Sequence, residues 1–287
     1  MSVVIWSDGR LYGPDEPLVS GVDHGLTVGD GVFETCAVYG GTAFALSRHL
    51  QRLRRSALGL GLAEPDLDVV REGVRAVLAA AGPDVGRLRI TLTGGTGPLG
   101  SNRLPLQDQR QNLLVLAGPA APTAVSRVVR VPWVRNERSA VAGLKTTSYA
   151  ENVVAVAQAY RRGADEAVLA NTVGELCEGT ASNVFVERDG ELVTPPLSSG
   201  CLAGITRELL LEWAEHEGLP VREASPGELR YEVLDDVVSG TAQLMMSGSI
   251  RNVSPVVSLD GVTVPAGPIS LEAQILFQKR LSDDLDP

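Results

Sequence analysis

Three of the four Asp-Gly dipeptides, those set between strand-like runs, constrain this chain more than any other feature. Asp8-Gly9, Asp189-Gly190 and Asp260-Gly261 each follow or join runs rich in strand formers. Asp-Gly suits the two central positions of a tight hairpin turn, because both need a positive φ. Antiparallel hairpins are therefore expected at the start, in the second half and near the end. Helical patterns fall between them without regular strand–helix–strand alternation. An α+β fold is expected rather than a doubly wound parallel sheet.

The remaining elements follow from local pattern. Val3–Trp6 and the run after Arg10 form the first hairpin, and Phe33–Tyr39 is a strand ended by Gly40-Gly41. Ser47 is expected to cap a helix in which Leu50, Leu53 and Ala57 recur at helical spacing. A second helix over Leu67–Ala81 stops at Gly82-Pro83, and Arg87–Thr93 and Leu113–Leu116 are strands. Val128–Val134 is a further strand. Ser148 and Glu151 match a capping box for a helix through Arg162. Val184–Glu187 and Glu191–Val193 flank the second Asp-Gly turn, and Gly204–Gly218 opens a helix with Leu209, Leu210, Trp213 and Ala214 on one stripe.

At 287 residues the chain suits one large domain or two modest ones. Residues 117–124, AGPAAPTA, lack periodicity and read as a linker. That divides a smaller first domain, 1–116, from a larger second one, 125–287. Hydrophobic residues at 44% and charged residues at 21% fit a packed globular protein. The net charge of −10 argues against nucleic acid or an anionic membrane surface as the main partner. No apolar run approaches the roughly 18 residues of a membrane span, and no secretory signal is visible. Cys36, Cys177 and Cys201 are too few and too irregular for a disulfide framework or a metal site. They are expected to be small buried residues, and a reduced, cytoplasmic compartment is the natural reading.

Several residues could carry chemistry. Gly95, Gly97 and Gly100 match G-x-G-x-x-G, but Pro105 interrupts any helix after them, so a dinucleotide site is not expected. Lys145 lies at a strand-to-helix junction among apolar and hydroxyl residues, where an amine can act as a nucleophile toward an aldehyde. Glu178 is followed by small residues and an apolar strand, so it is expected to face a confined space and could hold a cationic ring nitrogen. Glu175 is the solvated counterpart. Gly204-Ile205-Thr206 opens a helix, whose free N–H groups and threonine hydroxyl make a small anion cup. Arg52 is a cation beside core positions. His24 and His49 lack a repeated metal-ligand pattern and read as hydrogen-bonded structural histidines.

In order and spacing these segments resemble the class IV aminotransferases, fold-type IV enzymes that use pyridoxal 5'-phosphate (PLP). The resemblance runs through D-H-G-L-T-V-G-D-G-V-F-E-T (Asp23–Thr35), H-L-x-R-L (His49–Leu53) and the block at Lys145. It continues through E-G-T-A-S-N-V-F (Glu178–Phe185), G-C-L-A-G-I-T-R (Gly200–Arg207) and S-G-S-I-R-N-V-S-P-V (Ser247–Val256). It implies that Lys145 carries the cofactor covalently and moves the substrate Cα proton. Glu178 would sit beside the pyridine nitrogen. Arg52, the Ile205 and Thr206 amides, the Thr206 hydroxyl and Ser249 would hold the phosphate. Tyr149 matches a cofactor-side tyrosine only with a one-residue shift.

Arg89, Thr35 and Ile250 are the substrate-side candidates. Where D-amino acid enzymes of one bacterial type have T-R-G, this chain reads Thr93-Gly94-Gly95. Branched-chain enzymes place an arginine earlier on that strand, and Arg89 can fill a similar place. Thr35 matches a threonine that 4-amino-4-deoxychorismate lyases set near the cofactor. The resemblance therefore implies a transaminase, with D-amino acids favoured as donors and 2-oxo acids as acceptors. The alternatives are a lyase releasing pyruvate and 4-aminobenzoate, and a branched-chain aminotransferase. It also implies a homodimer, with Asp23–Asp30 as the loop offered to the partner.

Overall fold

A computed structural model describes residues 3–287, which form two compact units. The first takes the chain up to Ala121 together with Leu144–Tyr149 and Leu285–Pro287. The second takes Pro122–Gly143 and Ala150–Asp284.

The first unit is built on β1 (Val4–Ser7), β2 (Arg10–Tyr12), β3 (Gly31–Tyr39), β4 (Thr42–Ala43), β5 (Val85–Thr93) and β6 (Asn112–Pro119). They form one antiparallel sheet in the order β2-β1-β6-β5-β3-β4. A short helix α1 (His24–Thr27) precedes β3, and α2 (Leu46–Gly59) and α3 (Leu67–Ala80) follow β4. Strand alternation gives the sheet two chemically different faces. Val32, Cys36, Leu88, Ile90, Leu92 and Val115 point into one core with α2 and α3. Phe33, Thr35, Arg89 and Thr91 share the other face, because Phe33 pairs with Thr91 and Thr35 with Arg89 across β3 and β5.

Local expectations hold where the pattern is self-contained. Asp8 and Gly9 adopt φ of 48° and 75°, and Asp260 and Gly261 adopt 54° and 83°, as tight hairpin turns require. The helix expected over Leu67–Ala81 forms as α3, and Asp66, not singled out in the sequence, caps it through the Asp68 and Val69 amides. Ser47 departs from expectation. It lies inside the first turn of α2, whose N-cap is Ala45 in the left-handed region. The capping carboxylate is Asp286, which accepts from the Ser47 N–H at 2.8 Å and its hydroxyl at 2.6 Å. Two residues 239 positions apart share this cap, so no local pattern reveals it.

The second unit contains β7 (Ser126–Arg135), β8 (Glu166–Asn171), β9 (Leu176–Gly179), β10 (Asn183–Arg188), β11 (Glu191–Thr194), β12 (Val221–Glu223), β13 (Gln243–Gly248), β14 (Asn252–Leu259) and β15 (Val262–Thr263). These make one mixed sheet in the order β12-β11-β10-β13-β14-β7-β8-β9, with β15 paired to β14. Its helices are α4 (Ala150–Arg161), α5 (Ile205–Glu217), α6 (Val233–Ser239) and α7 (Pro268–Asp283). Ala155 and Ala159 of α4 pack on Val129, Ala167 and Leu169, where small residues let helix and sheet approach closely. Trp213 of α5 meets Phe277 of α7 with ring centroids 5.1 Å apart. Buried Glu187 accepts from the Ile269 and Ser270 amides and the Ser270 hydroxyl, so a β10 side chain caps α7.

Two further differences from the sequence reading have physical causes. Strand β6 continues to Pro119, because Ala117 and Gly118 pair with β5 despite their turn-like composition. The Ser148 hydroxyl donates to the Gly29 carbonyl, and Glu151 reaches Arg135, so these side chains serve contacts other than a capping box.

Candidate active site

In the first unit the lysine segment is tied to β3 by an isolated antiparallel bridge between Val32 and Thr146. The Phe33 N–H donates to the Lys145 carbonyl at 3.0 Å, and the Thr147 N–H to the Gly31 carbonyl at 2.8 Å. From the other side the Lys145 N–H donates to Ser56 Oγ on α2 at 3.2 Å. With its backbone so fixed, Lys145 sets its Nζ over the Phe33 ring, 4.5 Å from the centroid. Arg89 Cζ lies 4.0 Å from the same centroid, and Arg89 Nε donates to Thr91 Oγ1 at 3.1 Å. Tyr149 meets Phe33 edge-on at 5.3 Å. Lys145, Arg89 and Tyr149 thus gather on one aromatic platform, and Thr35 stands opposite Arg89 in register. An amine and a guanidinium held around one ring are groups that can meet a substrate carrying a carboxylate next to its reacting carbon.

Arg52 is buried, which its position on an arginine-rich helix conceals. Its Nε and Nη2 donate to the two oxygens of Glu34, each at 2.7 Å, and His49 Nδ1 lies 2.6 Å from Glu34 Oε2. Burial by itself would raise the Glu34 carboxyl. The charges and hydrogen bonds of Arg52 and His49 outweigh it and hold the group well below the usual carboxylate range. Burial pushes His49 below its ordinary value, against the pull of Glu34. The sequence reading passed over Glu34. The available signal was a charged residue at a core-facing position of an otherwise apolar strand.

In the second unit Glu178 is fixed through both oxygens. Arg135 Nε donates to Oε1 at 3.1 Å and the Leu202 N–H to Oε2 at 2.9 Å. Arg135 also reaches Asn152 Oδ1, and Asn152 donates to the Thr180 carbonyl. Buried Glu166 accepts from the Thr180 N–H and the Ser182 hydroxyl, so the turn after Glu178 is pinned from beneath. Glu175 is half-buried and accepts from Asn171 Nδ2 at 2.8 Å, which corrects its reading as a solvated residue.

Leu202 leads directly into α5. Asn183 Nδ2 donates to the Leu202 carbonyl, and a Cβ on Gly204 would fall 1.9 Å from Asn183 Oδ1, so any larger residue at the N-cap must displace the Asn183 amide. No side chain caps α5, although Ile205 and Thr206 are buried. The helix therefore presents its first amides at a buried end, the geometry that binds an anion. Ser249 and Ile250 are half-buried in the turn between β13 and β14. Arg251 secures that turn through Ser126 Oγ at 2.6 Å and Asp165 at 2.8 Å. Next to it, Ser247 Oγ is fully buried and has no hydrogen-bond partner among the described residues. An orphaned hydroxyl beside such a turn fits a site built to receive a polar group.

The other candidates fall outside this chemistry. The loop after β5 carries Gly95, Gly97 and Gly100 and leads to no α-helix. It is tied down by Arg103, which is bidentate to Asp30, and by His24 Nε2 at 2.8 Å from the Pro98 carbonyl. Burial raises the Cys36 and Cys177 thiols and pushes Cys201 up to about 11, so all three are inert. Among the described residues no acidic, histidine and cysteine group is placed to hold a metal, and no helix is long and apolar enough to cross a membrane.

The chain belongs to the amino-transferase class IV family, whose model matches residues 31–259. It is similar to a bifunctional aminodeoxychorismate lyase / D-amino acid transaminase of Mycobacterium tuberculosis, at 30% identity over 93% of this chain and 95% of that one. It is also similar to a Methanocaldococcus jannaschii protein with a provisional branched-chain-amino-acid aminotransferase name, at 32% identity over 90% of this chain and 88% of that one. Among solved structures it resembles a hypothetical aminotransferase from M. tuberculosis in its PLP-bound form. There the TM-score is 0.83 and the identity 27%, covering 98% of this chain and all of that one. The fold is that of the fold-type IV aminotransferases, and PLP is the cofactor. In the second unit the uncapped end of α5 and the orphaned Ser247 hydroxyl fit a phosphate group. In the first unit the Lys145 amine fits an aldehyde.

Proposed function

We propose that this enzyme is a transaminase that moves an amino group between an amino acid, with D-amino acids favoured, and a 2-oxo acid. The observation that carries the reading is that Lys145 and Arg89 each lie over the Phe33 ring, an amine and a guanidinium within 4.5 Å and 4.0 Å of one centroid. PLP supplies an electron sink for the carbanion left when the substrate Cα proton departs. Lys145 holds the cofactor and moves that proton. Glu178 would hold the ring nitrogen, its carboxylate oriented by Arg135 and the Leu202 amide. Arg52, the Ile205 and Thr206 amides, the Thr206 hydroxyl and Ser249 take the phosphate, and Tyr149 lies on the cofactor side. Arg89 binds the substrate carboxylate through its fork, and Thr35 and Ile250 contact the rest of the substrate.

A lyase acting on 4-amino-4-deoxychorismate is the second reading. It is favoured by Thr35 standing opposite Arg89 and by the bifunctional M. tuberculosis relative. The two differ in what leaves the site: a transaminase passes the amino group to a 2-oxo acid, whereas the lyase releases pyruvate and 4-aminobenzoate. Mixing the holoenzyme with D-alanine or D-glutamate, without acceptor, should change the cofactor absorbance, and 2-oxoglutarate should restore it. Absence of that change with every D- and L-amino acid, alongside rapid release of 4-aminobenzoate from aminodeoxychorismate, would establish the lyase instead. A response confined to branched-chain L-amino acids would establish the third alternative.

The same reading includes a homodimer. Leu26 is 66% exposed and Leu99 82% exposed, on two segments joined by the Gly97 N–H to Val22 carbonyl bond. Exposed apolar side chains on the segment that contains Asp23–Asp30 suit an obligate interface. A fully active monomer in light scattering at micromolar concentration would contradict it.

A further inference from the structure

Glu34 is the single charge on β3 and is fully buried, at 0% exposure, against Arg52 at 3% and His49 at 1% on α2. Every contact it makes with Arg52 is on the guanidinium edge formed by Nε and Nη2. His49, Arg52 and Ser56 succeed one another on a single buried face of α2, and Ser56 takes the Lys145 N–H. A buried ion pair of this kind is a poor way to gain stability, since well-packed apolar residues of similar volume serve as well. What it supplies is orientation: a bidentate contact fixes both the plane and the direction of a side chain with many rotamers.

Its sign is also informative. An ionised carboxylate beside a phosphate-binding arginine opposes the approach of a dianion. Glu34 can therefore favour phosphate only through geometry, and the two effects act in opposite directions. We propose that Glu34, supported by His49, is a positioning residue that holds the Arg52 guanidinium in the orientation in which it takes the phosphate of PLP. This rests on the assignment of Arg52 to the phosphate cup above.

The test compares PLP with pyridoxal, which lacks the phosphate, in equilibrium titrations of the full-length apoenzyme. Wild type, Glu34→Gln, His49→Gln and Arg52→Lys are measured, with inorganic phosphate as competitor. Glu34→Gln should weaken PLP about tenfold or more and weaken phosphate competition, while leaving pyridoxal affinity within about twofold. His49→Gln should act in the same direction but less, because both Arg52 contacts remain. Unchanged or tighter PLP binding in Glu34→Gln would overturn the proposal, since charge alone would then govern the site. Equal losses for PLP and pyridoxal would overturn it too, as the mark of general damage. If Glu34→Gln does not fold, Glu34→Asp carries the same comparison: it keeps the charge but withdraws the oxygens by one methylene. Arg52→Lys with unaltered PLP affinity would instead remove Arg52 from the phosphate cup and leave the geometry of Glu34 without a ligand to serve.

Discussion

Lys145 places its Nζ 4.5 Å from the centroid of the Phe33 ring, while its own carbonyl accepts the Phe33 N–H at 3.0 Å. One residue thus holds the lysine at both ends, by a backbone bond and by a ring face that attracts a cation. The backbone is set by strand pairing and the side chain by an aromatic floor, which orders a long and otherwise mobile chain.

Lys145 should be the residue that carries PLP covalently. Borohydride reduction of the holoenzyme followed by peptide mass mapping should find the pyridoxyl group on the Lys145 peptide. Label on any other lysine would remove Lys145 from the role.

Glu178→Gln should retain bound PLP and lose most turnover, on the order of a hundredfold or more in kcat, because a neutral amide no longer favours a protonated ring nitrogen. Glu175→Gln, which disturbs only the contact to Asn171, should turn over nearly normally. The reverse pattern would assign the ring-nitrogen contact to Glu175.

Arg89→Ala should raise KM for the amino acid by roughly one to two orders of magnitude with little change in PLP affinity. Arg89→Lys keeps the charge but not the fork, so it should recover part of the loss. Equal weakening of PLP and amino acid would show that Arg89 supports the platform rather than the substrate.

Acid should destabilise the apoprotein through the Glu34 cluster. Both Glu34 and His49 bind protons less readily folded than unfolded, so stability rises with pH across each transition. The His49 contribution is complete above its ordinary value of about 6.5, and the Glu34 contribution above about 4.3. Both are lost as the pH falls below those values. Melting temperature should therefore decline from about pH 7 downward, and His49→Gln should flatten the upper part of that decline. An unchanged slope in His49→Gln would assign the acid sensitivity elsewhere.

Glu187→Ala should destabilise the protein by about 1–3 kcal/mol, since three donors at the start of α7 lose their acceptor. Amide exchange should rise first at Ile269 and Ser270. Protection unchanged at those two positions would mean that water replaces the carboxylate at no cost.

Much of this protein could be read from its residues without coordinates, wherever the cause is local. The hairpin at Asp8-Gly9 needs only two positive φ angles in adjacent residues, and α3 needs only Asp66 and an apolar stripe. The order of motifs around Lys145, Glu178 and Gly204–Thr206 likewise identified the family and its cofactor, because chemistry of that kind depends on residue type and spacing. Tertiary structure decided what depends on partners far along the chain. It capped α2 with Asp286 and α7 with Glu187, and it joined Leu144–Tyr149 to the unit containing β3. It also set Glu34 against Arg52, a pair 18 residues apart that meets only when β3 packs on α2. The physical reason is the same throughout. A turn or a helical stripe is satisfied by its neighbours, whereas a buried charge must find its counter-ion wherever the fold delivers one.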